Sequence, residues 1–515
     1  MLRIPVMNRK ALAVLPLALL AACTTLGPDY QLPKEAVVQR EAAQGPLMGA
    51  AETSFTSDPL PADWWRLYQD PVLDRLVAKA FSANADLRVA AANLARAHAV
   101  LEEVEEKKRH EVEMSAAPLY GRIAGASLGL PEQLPRTGMY EGDVKVAYQV
   151  DLWGRIRRAI EAAHADQEAA QAASDLAHVM VAADTTRAYA QACSAGYQLQ
   201  VAQQSVALQQ QFVKLTAERI RRGRGIAIDT SRAQAQLELL RANLPPLEAS
   251  RRTALYRLAV LTGETPSRFP REVAECATPP RVAAAIPVGD GAALLRRRPD
   301  VRQAERQLAA ATARIGVATA ELYPNITLGA SFGGLGTMDA FGDASTWKFS
   351  LGPLISWNLP ALSPARVHIA QAKISTEGAL ARFDAVVLNA LRETESALTV
   401  YARELDRNAA LRAARDQSAL AAKQTARLYG FGRTDFLAAL DADRTLAGAE
   451  SMLAASSAKL ADDQAQLFLA LGGGWEHSRA AHGAQHQAGR DGAGHDSAGH
   501  GGTDHGEAHV KPAAP

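Results

Sequence analysis

The feature that most constrains this fold is the length of two segments that contain almost no helix breakers. Residues 155–222 hold no proline and one glycine over 68 residues, and residues 366–429 hold no proline and one glycine over 64. Both are rich in residues that favour helix. At 1.5 Å per residue each predicts a rod of roughly 100 Å, whereas globular helices average about 11–12 residues. Such rods need neighbours to cover their apolar stripes, which indicates an elongated helical assembly.

Each rod ends at a glycine-containing break, after which the chain resumes as helix. The breaks are Arg222–Gly225 and Tyr429–Arg433, and we interpret them as the tips of helical hairpins,. The return helices are predicted at about 227–261, interrupted by Pro245-Pro246, and at about 435–471.

The two halves of the chain resemble each other. A shift of 209 residues aligns Gly223 with Gly432. A shift of 214 aligns residues 85–99 with 299–313, with seven identities in fifteen. We therefore interpret the chain as a tandem duplication.

Short runs of alternating side chains lie between the helices. Residues 144–152 alternate apolar with polar over nine positions, the period of a strand with one apolar face,. Further strands are predicted near 112–120, 325–332 and 349–357. Four strands of about 10 residues fit a transmembrane β-barrel, which four cannot close but twelve from a trimer can. The alternative is a small soluble sheet that caps a helical bundle.

The N-terminal residues have the pattern of an export signal. Basic residues precede an apolar run of 13 residues, Ala11 to Cys23, which is too short to span a bilayer and predicts a signal peptide over residues 1–22,. Cys23 follows Leu20-Ala21-Ala22, which resembles the bacterial lipobox, where the thiol receives a lipid. Thr24 in place of Asp then implies sorting to the outer membrane. An ordinary secretory signal with an incidental cysteine is the alternative.

Charge and motif content exclude several classes. The net charge of +1 gives no field that would favour nucleic acid,. The sequence has no Gly-x-Ser-x-Gly elbow, P-loop, His-Glu-x-x-His or dinucleotide fingerprint, so we predict neither an enzyme nor a bound cofactor,. Cys193 and Cys276 lack nearby ligand residues, and we expect them to be separate packing thiols.

The C-terminal tail is rich in histidine. Residues 477–515 hold seven of the twelve His among Gly, Ala, Asp and Ser, which predicts a disordered segment,. Imidazoles at this spacing bind Zn, Cu or Ni ions weakly, without fixed geometry. The candidate ligands are His482, His486, His495, His500, His505 and His509. A solvated tail without relevance to cargo is the alternative, so heavy-metal and multidrug cargo both stay open.

Six short motifs follow one another along the chain: Cys23–Tyr30, Trp64–Tyr68 with Asp70-Pro71, Tyr148–Arg155, Arg298–Glu305, Leu322–Ile326 and Leu440–Ala442. Together they resemble those of the TolC-like outer-membrane efflux channels, in the lipoprotein (NodT-type) branch of RND tripartite pumps. The match covers about residues 23–472, and the order of the motifs along one chain makes the resemblance specific.

The resemblance implies a mainly helical protein with a small β part. A homotrimer would build a long periplasmic α-barrel and a 12-stranded transmembrane β-barrel, with four strands from each protomer. Residues 23–80 would form the lipidated N-terminus and an equatorial segment, 81–285 the first repeat, 286–472 the second, and 473–515 the tail. Other equatorial segments are expected at about 245–300 and near 472.

The resemblance also implies passive conduction by a lipid-anchored outer-membrane protein that extends into the periplasm. Its partners would be a periplasmic adaptor and an inner-membrane RND transporter. The competing interpretation is a structural coiled-coil envelope lipoprotein without a pore.

Residue roles follow from the resemblance where the motifs match. Asp441 would form an acidic ring at the periplasmic aperture. Relatives often carry a second acid where this chain has Ala438, and Tyr at the tips where it has Ile220 and Leu428. Likewise, Pro364-Ala365-Arg366 replaces the second copy of Trp153-Gly154-Arg155. The residues expected to dock the adaptor are Arg219, Gly223, Arg224, Arg427, Gly432 and Arg433.

Overall fold

The computed structural model describes residues 25–476 except positions 123, 125, 127, 128, 130, 134 and 358–361. The predicted signal peptide, Cys23 and the histidine-rich residues from 477 onward lie outside this part of the chain. The helices are α1 Glu41–Gln44, α2 Pro71–Ala83, α3 Ala85–Glu106, α4 Arg155–Arg221, α5 Ala227–Ala242, α6 Leu244–Leu261, α7 Arg271–Ala274, α8 Gly291–Arg297, α9 Pro299–Ala320, α10 Leu362–Gly430 and α11 Phe436–Leu471. The strands are β1 Phe55–Thr56, β2 Glu111–Gly121, β3 Thr137–Val150, β4 Ile286–Pro287, β5 Asn325–Thr337 and β6 Trp347–Ser356.

Both predicted rods are confirmed, since α4 runs for 67 residues and α10 for 69. The start of α4 is held by Asp151, whose carboxylate accepts from the backbone N–H of Ile156 at 3.0 Å and of Arg157 at 2.9 Å. A helix start leaves such N–H groups without a partner inside the helix. Among the described residues, no helix has both the length and the apolar character that crossing a membrane requires.

The two halves repeat the same order of elements, as the tandem duplication predicts. In each half a helix of 22 residues, α3 in the first and α9 in the second, is followed by an antiparallel strand pair. A long helix and then a returning helix complete the half. The first return is divided into α5 and α6 at Asn243, just before Pro245-Pro246, whereas α11 runs for 36 residues without a break. Proline cannot donate a helical hydrogen bond, which explains the predicted interruption.

Four strands form one antiparallel sheet in the order β2-β3-β5-β6. The two halves join where β3 pairs with β5, from Met139 opposite Thr337 to Val150 opposite Ile326. All four predicted strands are present, although β3 begins seven residues before the predicted 144 and ends at Val150. Since β2 and β6 are the outer strands, the described part of the chain leaves two sheet edges open,.

The sheet has one apolar and one polar face, as the period of two predicts. One apolar row crosses all four strands in register: Met114, Val144, Phe332 and Phe349. The neighbouring polar row is Glu113, Lys145, Ser331 and Ser350. The apolar row is exposed within one chain, with 83% of the Phe349 surface accessible. An apolar face of this kind needs a cover outside the chain.

The predicted equatorial segments, near residues 28–80, 245–300 and 472, form a belt around the middle of the long helices. Trp64 is fully buried, stacks on Phe468 of α11 with ring centroids 4.5 Å apart, and donates its indole N–H to the carbonyl of Gly473 at 3.1 Å. Strand β1 pairs with β4 in parallel, with Phe55 opposite Ile286. The three predicted equatorial segments therefore meet in one apolar core.

A disulfide ties the belt to α4. The expectation that Cys193 and Cys276 are separate thiols is wrong, because their sulfurs are bonded and their Cα atoms lie 4.8 Å apart. Their separation of 83 positions along the chain gave no local sign of this pairing in the sequence. Gly196 permits the close approach, since a Cβ there would lie 2.1 Å from the carbonyl oxygen of Cys276. Disulfides persist in oxidising compartments, which agrees with the predicted export.

Candidate functional site

The two hairpin tips are built by the same backbone turn. In the first, the N–H of Arg224 donates to the carbonyl of Arg219 at 2.9 Å, and in the second the N–H of Arg433 donates to Leu428 at 2.8 Å. Gly223 and Gly432 precede the donors with φ of 71° and 73°, the left-handed conformation that favours glycine,. The predicted equivalence of these two glycines is thus visible in the turn geometry.

An aromatic cluster fastens the two tips together. The ring of Phe212 on α4 lies 5.7 Å from that of Tyr429 and 5.6 Å from that of Phe436. Arg219 adds a cation–π contact, with its guanidinium carbon 4.2 Å from the Tyr429 ring centroid, and it donates to the Tyr429 carbonyl,. Arg219, predicted as a docking residue, is therefore half-buried and joins the hairpins to each other.

The remaining predicted docking residues are exposed at the tips: Gly223, Arg224, Arg427, Gly432 and Arg433. Large apolar side chains that the sequence analysis did not select lie exposed beside them, namely Ile226, Phe431 and Leu437. Phe431 has 82% of its surface accessible. We call the exposed residues within 223–228 and 427–437 the tip surface, which excludes the buried Tyr429 and Phe436. It combines arginine charges with apolar side chains.

Asp441 is exposed near the start of α11. The helix begins after Asp435, whose carboxylate accepts from the N–H of Ala438 at 2.7 Å. The main-chain carbonyl of Asp441 accepts from the Thr445 hydroxyl at 2.9 Å, so the local contact uses its backbone.

Asp443 is a functional candidate that the sequence analysis missed. It lies two residues after Asp441 and lines a small cleft with Ser205 and Gln209 of α4 and Gln236 of α5. Burial raises the pKa of Asp443 to about 6,. Glu450, seven residues on, lines the same cleft, and burial raises its pKa against the opposing effect of a hydrogen bond from the Ser205 hydroxyl. Two desolvated carboxylates thus lie between α11 and its neighbours near the tip.

The first described residues lie at the junction between sheet and helices. Arg158, which is almost fully buried, donates to the carbonyls of Leu26 at 2.9 Å and Gly27 at 3.0 Å and to Asp29 at 2.7 Å. The N–H of Leu26 donates to the carbonyl of Trp153 at 3.2 Å. The segment after Thr25 is thereby fixed to the first turn of α4, where β3 has just ended.

Aromatic rings mark the same junction. The ring of Trp153 stacks on that of Tyr323 at 4.7 Å, and its indole N–H donates to the carbonyl of Pro324 at 3.0 Å. Trp and Tyr are enriched at membrane–water interfaces, where an apolar ring and a polar tip are both accommodated.

Within the described part of the chain, no group of three or more His, Cys, Asp and Glu side chains converges as a metal site. The six histidines predicted as weak metal ligands lie beyond residue 476, so their arrangement is outside what the structure describes.

Comparison with known proteins gives consistent matches. Residues 76–264 and 292–473 match the family model described as outer membrane efflux protein. Nodulation protein T of Rhizobium leguminosarum bv. trifolii is 28% identical over 466 residues, which cover 89% of this chain and 96% of that protein. A probable outer membrane lipoprotein, SilC of Salmonella typhimurium, is 23% identical over 474 residues, covering 90% of this chain and 99% of that protein.

A solved structure of the outer-membrane channel OprN is also similar. It is 33% identical, with a TM-score of 0.81, and the match covers 88% of this chain and all of that one. The likeness extends over both the helices and the sheet, since nearly the whole described chain is included.

Proposed function

The chain belongs to the outer membrane efflux protein family, and we propose that three copies of it form one conduit from the periplasm through the outer membrane. Members of the family are channels of efflux pumps rather than enzymes, so the protein conducts without catalysing a reaction. The interpretation as a pore-less coiled-coil lipoprotein is set aside by this membership.

The observation that carries the proposal is the four-stranded sheet. Its apolar rows lie on one face and its polar rows on the opposite face, and among the described residues its edge strands β2 and β6 are unpaired on their outer sides. Backbone groups in a bilayer must all be paired, so an open edge is not tolerated there. Joining the β6 of one protomer to the β2 of the next, three times over, would close twelve strands with the apolar face toward lipid.

The long helices would continue the conduit into the periplasm. At 1.5 Å per residue, the 67 residues of α4 and the 69 of α10 each extend for about 100 Å,. No ATP-binding motif occurs in the sequence, so the driving energy would come from an inner-membrane RND transporter, with a periplasmic adaptor between the two proteins. The tip surface, with its arginines and exposed apolar side chains, is the region we assign to the adaptor.

Asp441 is our candidate for the periplasmic aperture. Three copies of this exposed carboxylate around a threefold axis would form a ring that attracts cations and repels itself. Adaptor binding at the tips, only one to two turns away, would separate the helices and widen the ring.

We propose that Cys23 carries a lipid. Thr25 is held against Gly154, where a Cβ would lie 2.7 Å from its side chain, so the described chain starts at the junction of sheet and helices. Cys23 precedes Thr25 by two positions in the sequence. An acyl group attached this close to the junction would reach the inner leaflet of the membrane that the sheet spans.

The channel proposal is tested by electrophoresis and planar-bilayer recording. The full chain, purified in detergent, should run as an SDS-resistant trimer that heat converts to monomer, and it should give single-channel currents. A monomer without conductance would contradict the proposal.

Two adjacent residues provide matched variants for the sheet. Phe332→Lys places a charge on the apolar face, at a cost of about 2–4 kcal/mol at the bilayer midplane, and should prevent insertion. Ser331→Lys places the same charge on the polar face and should insert and conduct. Equal behaviour of the two variants would reject the assignment of the lipid-facing side.

A further inference from the structure

A cavity of ≈ 380 Å³ lies where the belt crosses the long helices. Its wall is formed by α4, α10 and α11, and its cover by belt residues 277–281. Ligand pockets typically occupy about 300–1,000 Å³ and combine apolar walls with a few converging polar groups. This cavity lies many turns from the tip surface and from Asp441, so it is separate from the site assigned above.

The cover of the cavity is fixed at both ends. Before it, Cys276 is bonded to Cys193 of α4. After it, the N–H of Val282 donates to the side-chain oxygen of Gln464 at 3.1 Å. Gln464 is 1% exposed, and its amide nitrogen donates to the Tyr401 hydroxyl oxygen at 3.0 Å. The cavity is therefore held open by covalent and hydrogen-bonded contacts on either side.

The two charged side chains that line the cavity are both arginines, and both are exposed. Arg281 comes from the belt and Arg412 from α10, and none of the side chains lining the cavity is acidic. Among the described residues neither arginine has an ion-pair partner; Arg412 has only a long 3.5 Å contact to the amide oxygen of Asn408. Glu404, one turn before Asn408, is already engaged by Ser456 at 2.6 Å.

Tyr401 adds a third donor. Because its oxygen accepts from Gln464, its own proton is available to a ligand,. Burial raises the pKa of Tyr401, while the positive charge of Arg281 acts in the opposite direction, so the hydroxyl stays protonated and within the field of that arginine. The apolar part of the wall is supplied by Pro279, Pro280 and Leu460.

We propose that this cavity binds a small organic carboxylate, with its acidic group between Arg281 and Arg412 and its apolar body against Pro279, Pro280 and Leu460. Guanidinium groups pair with carboxylates through charge-assisted hydrogen bonds, and the Tyr401 hydroxyl supplies a further donor. A ligand held in this way connects the belt to α10, the helix that ends at the second tip. The proposal goes beyond conduction and does not depend on it.

The test uses isothermal titration calorimetry on the full chain in detergent, with 2-naphthoate as the probe. Naphthoate should bind saturably, and its affinity should fall as salt rises. 2-Naphthylmethylamine, which has the same ring but a positive charge, should not bind. Absence of saturable naphthoate binding, or equal binding of the amine, would overturn the proposal.

Variants then locate the site. Arg281→Gln with Arg412→Gln should weaken naphthoate binding by at least about tenfold, whereas Arg268→Gln, an exposed belt arginine outside the cavity, should leave it unchanged. Tyr401→Phe removes one hydroxyl while keeping the ring, and should weaken binding about threefold to tenfold. If the double variant and Arg268→Gln bind equally, the cavity is not the site.

Discussion

At the scale of single residues, two carboxylates on α11 have opposite surroundings although they are two positions apart. Asp441 is exposed, whereas Asp443 lies in the cleft between α11, α4 and α5. An α-helix turns about 100° per residue, so side chains two apart point in nearly opposite directions. Each residue therefore serves as the matched control for the other.

Asp443 should make the packing of the second hairpin depend on pH. Its pKa of about 6 in the folded chain lies above the value of 3.8 for an unperturbed carboxyl. Between these two values the folded chain keeps a proton that the unfolded chain loses. The free energy that protonated Asp443 contributes to stability is therefore fully present below about pH 4 and declines as the pH rises toward 6. Amide hydrogen exchange over residues 436–450 should be slower at pH 5 than at pH 7.5, after correction for intrinsic rates.

Asp443→Asn should remove most of this difference and slow the exchange at pH 7.5, because the buried charge is gone. Asp441→Asn should leave the difference intact. An unchanged pH dependence in Asp443→Asn would show that its ionisation does not control the packing.

Asp441→Ala should raise the resting conductance of the channel and reduce block by hexaamminecobalt(III). Both effects are expected because three carboxylates at a narrow aperture would hold a cation there and obstruct the current, and the variant lacks them. Single-channel recording in a planar bilayer measures them, with Asp58→Ala, an exposed belt carboxylate, as a control. Currents identical to those of the wild-type chain would remove the aperture assignment.

Asp443 could have been found from the sequence by its spacing. Phe436, Leu440, Asp443, Ala447 and Glu450 follow one another at intervals of four and three, the stripe that an α-helix buries,. A carboxylate within such a stripe indicates a desolvated acid. The Leu440-Asp441-Ala442 motif instead indicates the exposed neighbour, Asp441.

At the scale of elements, the sequence predicted what is long or periodic and missed what is short. The rods and the four sheet strands follow from propensity and from periods that run over eight or more residues. Strands β1 and β4 have two residues each, so no period could appear. The disulfide depends on the path of the belt across α4, which the local sequence around Cys193 and Cys276 does not encode.

The disulfide should stabilise the belt. Cys193→Ala with Cys276→Ala should lower stability by about 2–4 kcal/mol, because the link closes a long loop in the unfolded chain. The midpoint of heat unfolding in detergent measures this. Reductant should lower the midpoint of the wild-type chain and leave that of the double variant unchanged. A wild-type chain whose midpoint is the same with and without reductant would contradict a stabilising role.

At the scale of the whole molecule, the open sheet edges and the uncovered apolar face make one chain incomplete. The sequence could predict this incompleteness, because four amphipathic strands are too few to close a barrel. It could not give the contacts between the three proposed copies, since these depend on surfaces brought together from both repeats. The sequence also could not give the cargo. The described residues do not specify it either, because they contain no group of His, Cys, Asp and Glu side chains that could hold a metal ion.

The histidine-rich tail provides the test of cargo. A deletion strain complemented with the full chain or with a chain ending before His477 should regain equal resistance to amphiphilic drugs, because the proposed conduit is built before residue 477. Growth is compared on the drugs and on Cu, Zn and Ni salts. If metal resistance returns only with the full chain, the tail is a metal collector and the protein a metal-efflux channel, since imidazole is a preferred ligand of these ions. If both chains restore drug resistance alone, the tail is dispensable and the protein is a general outlet.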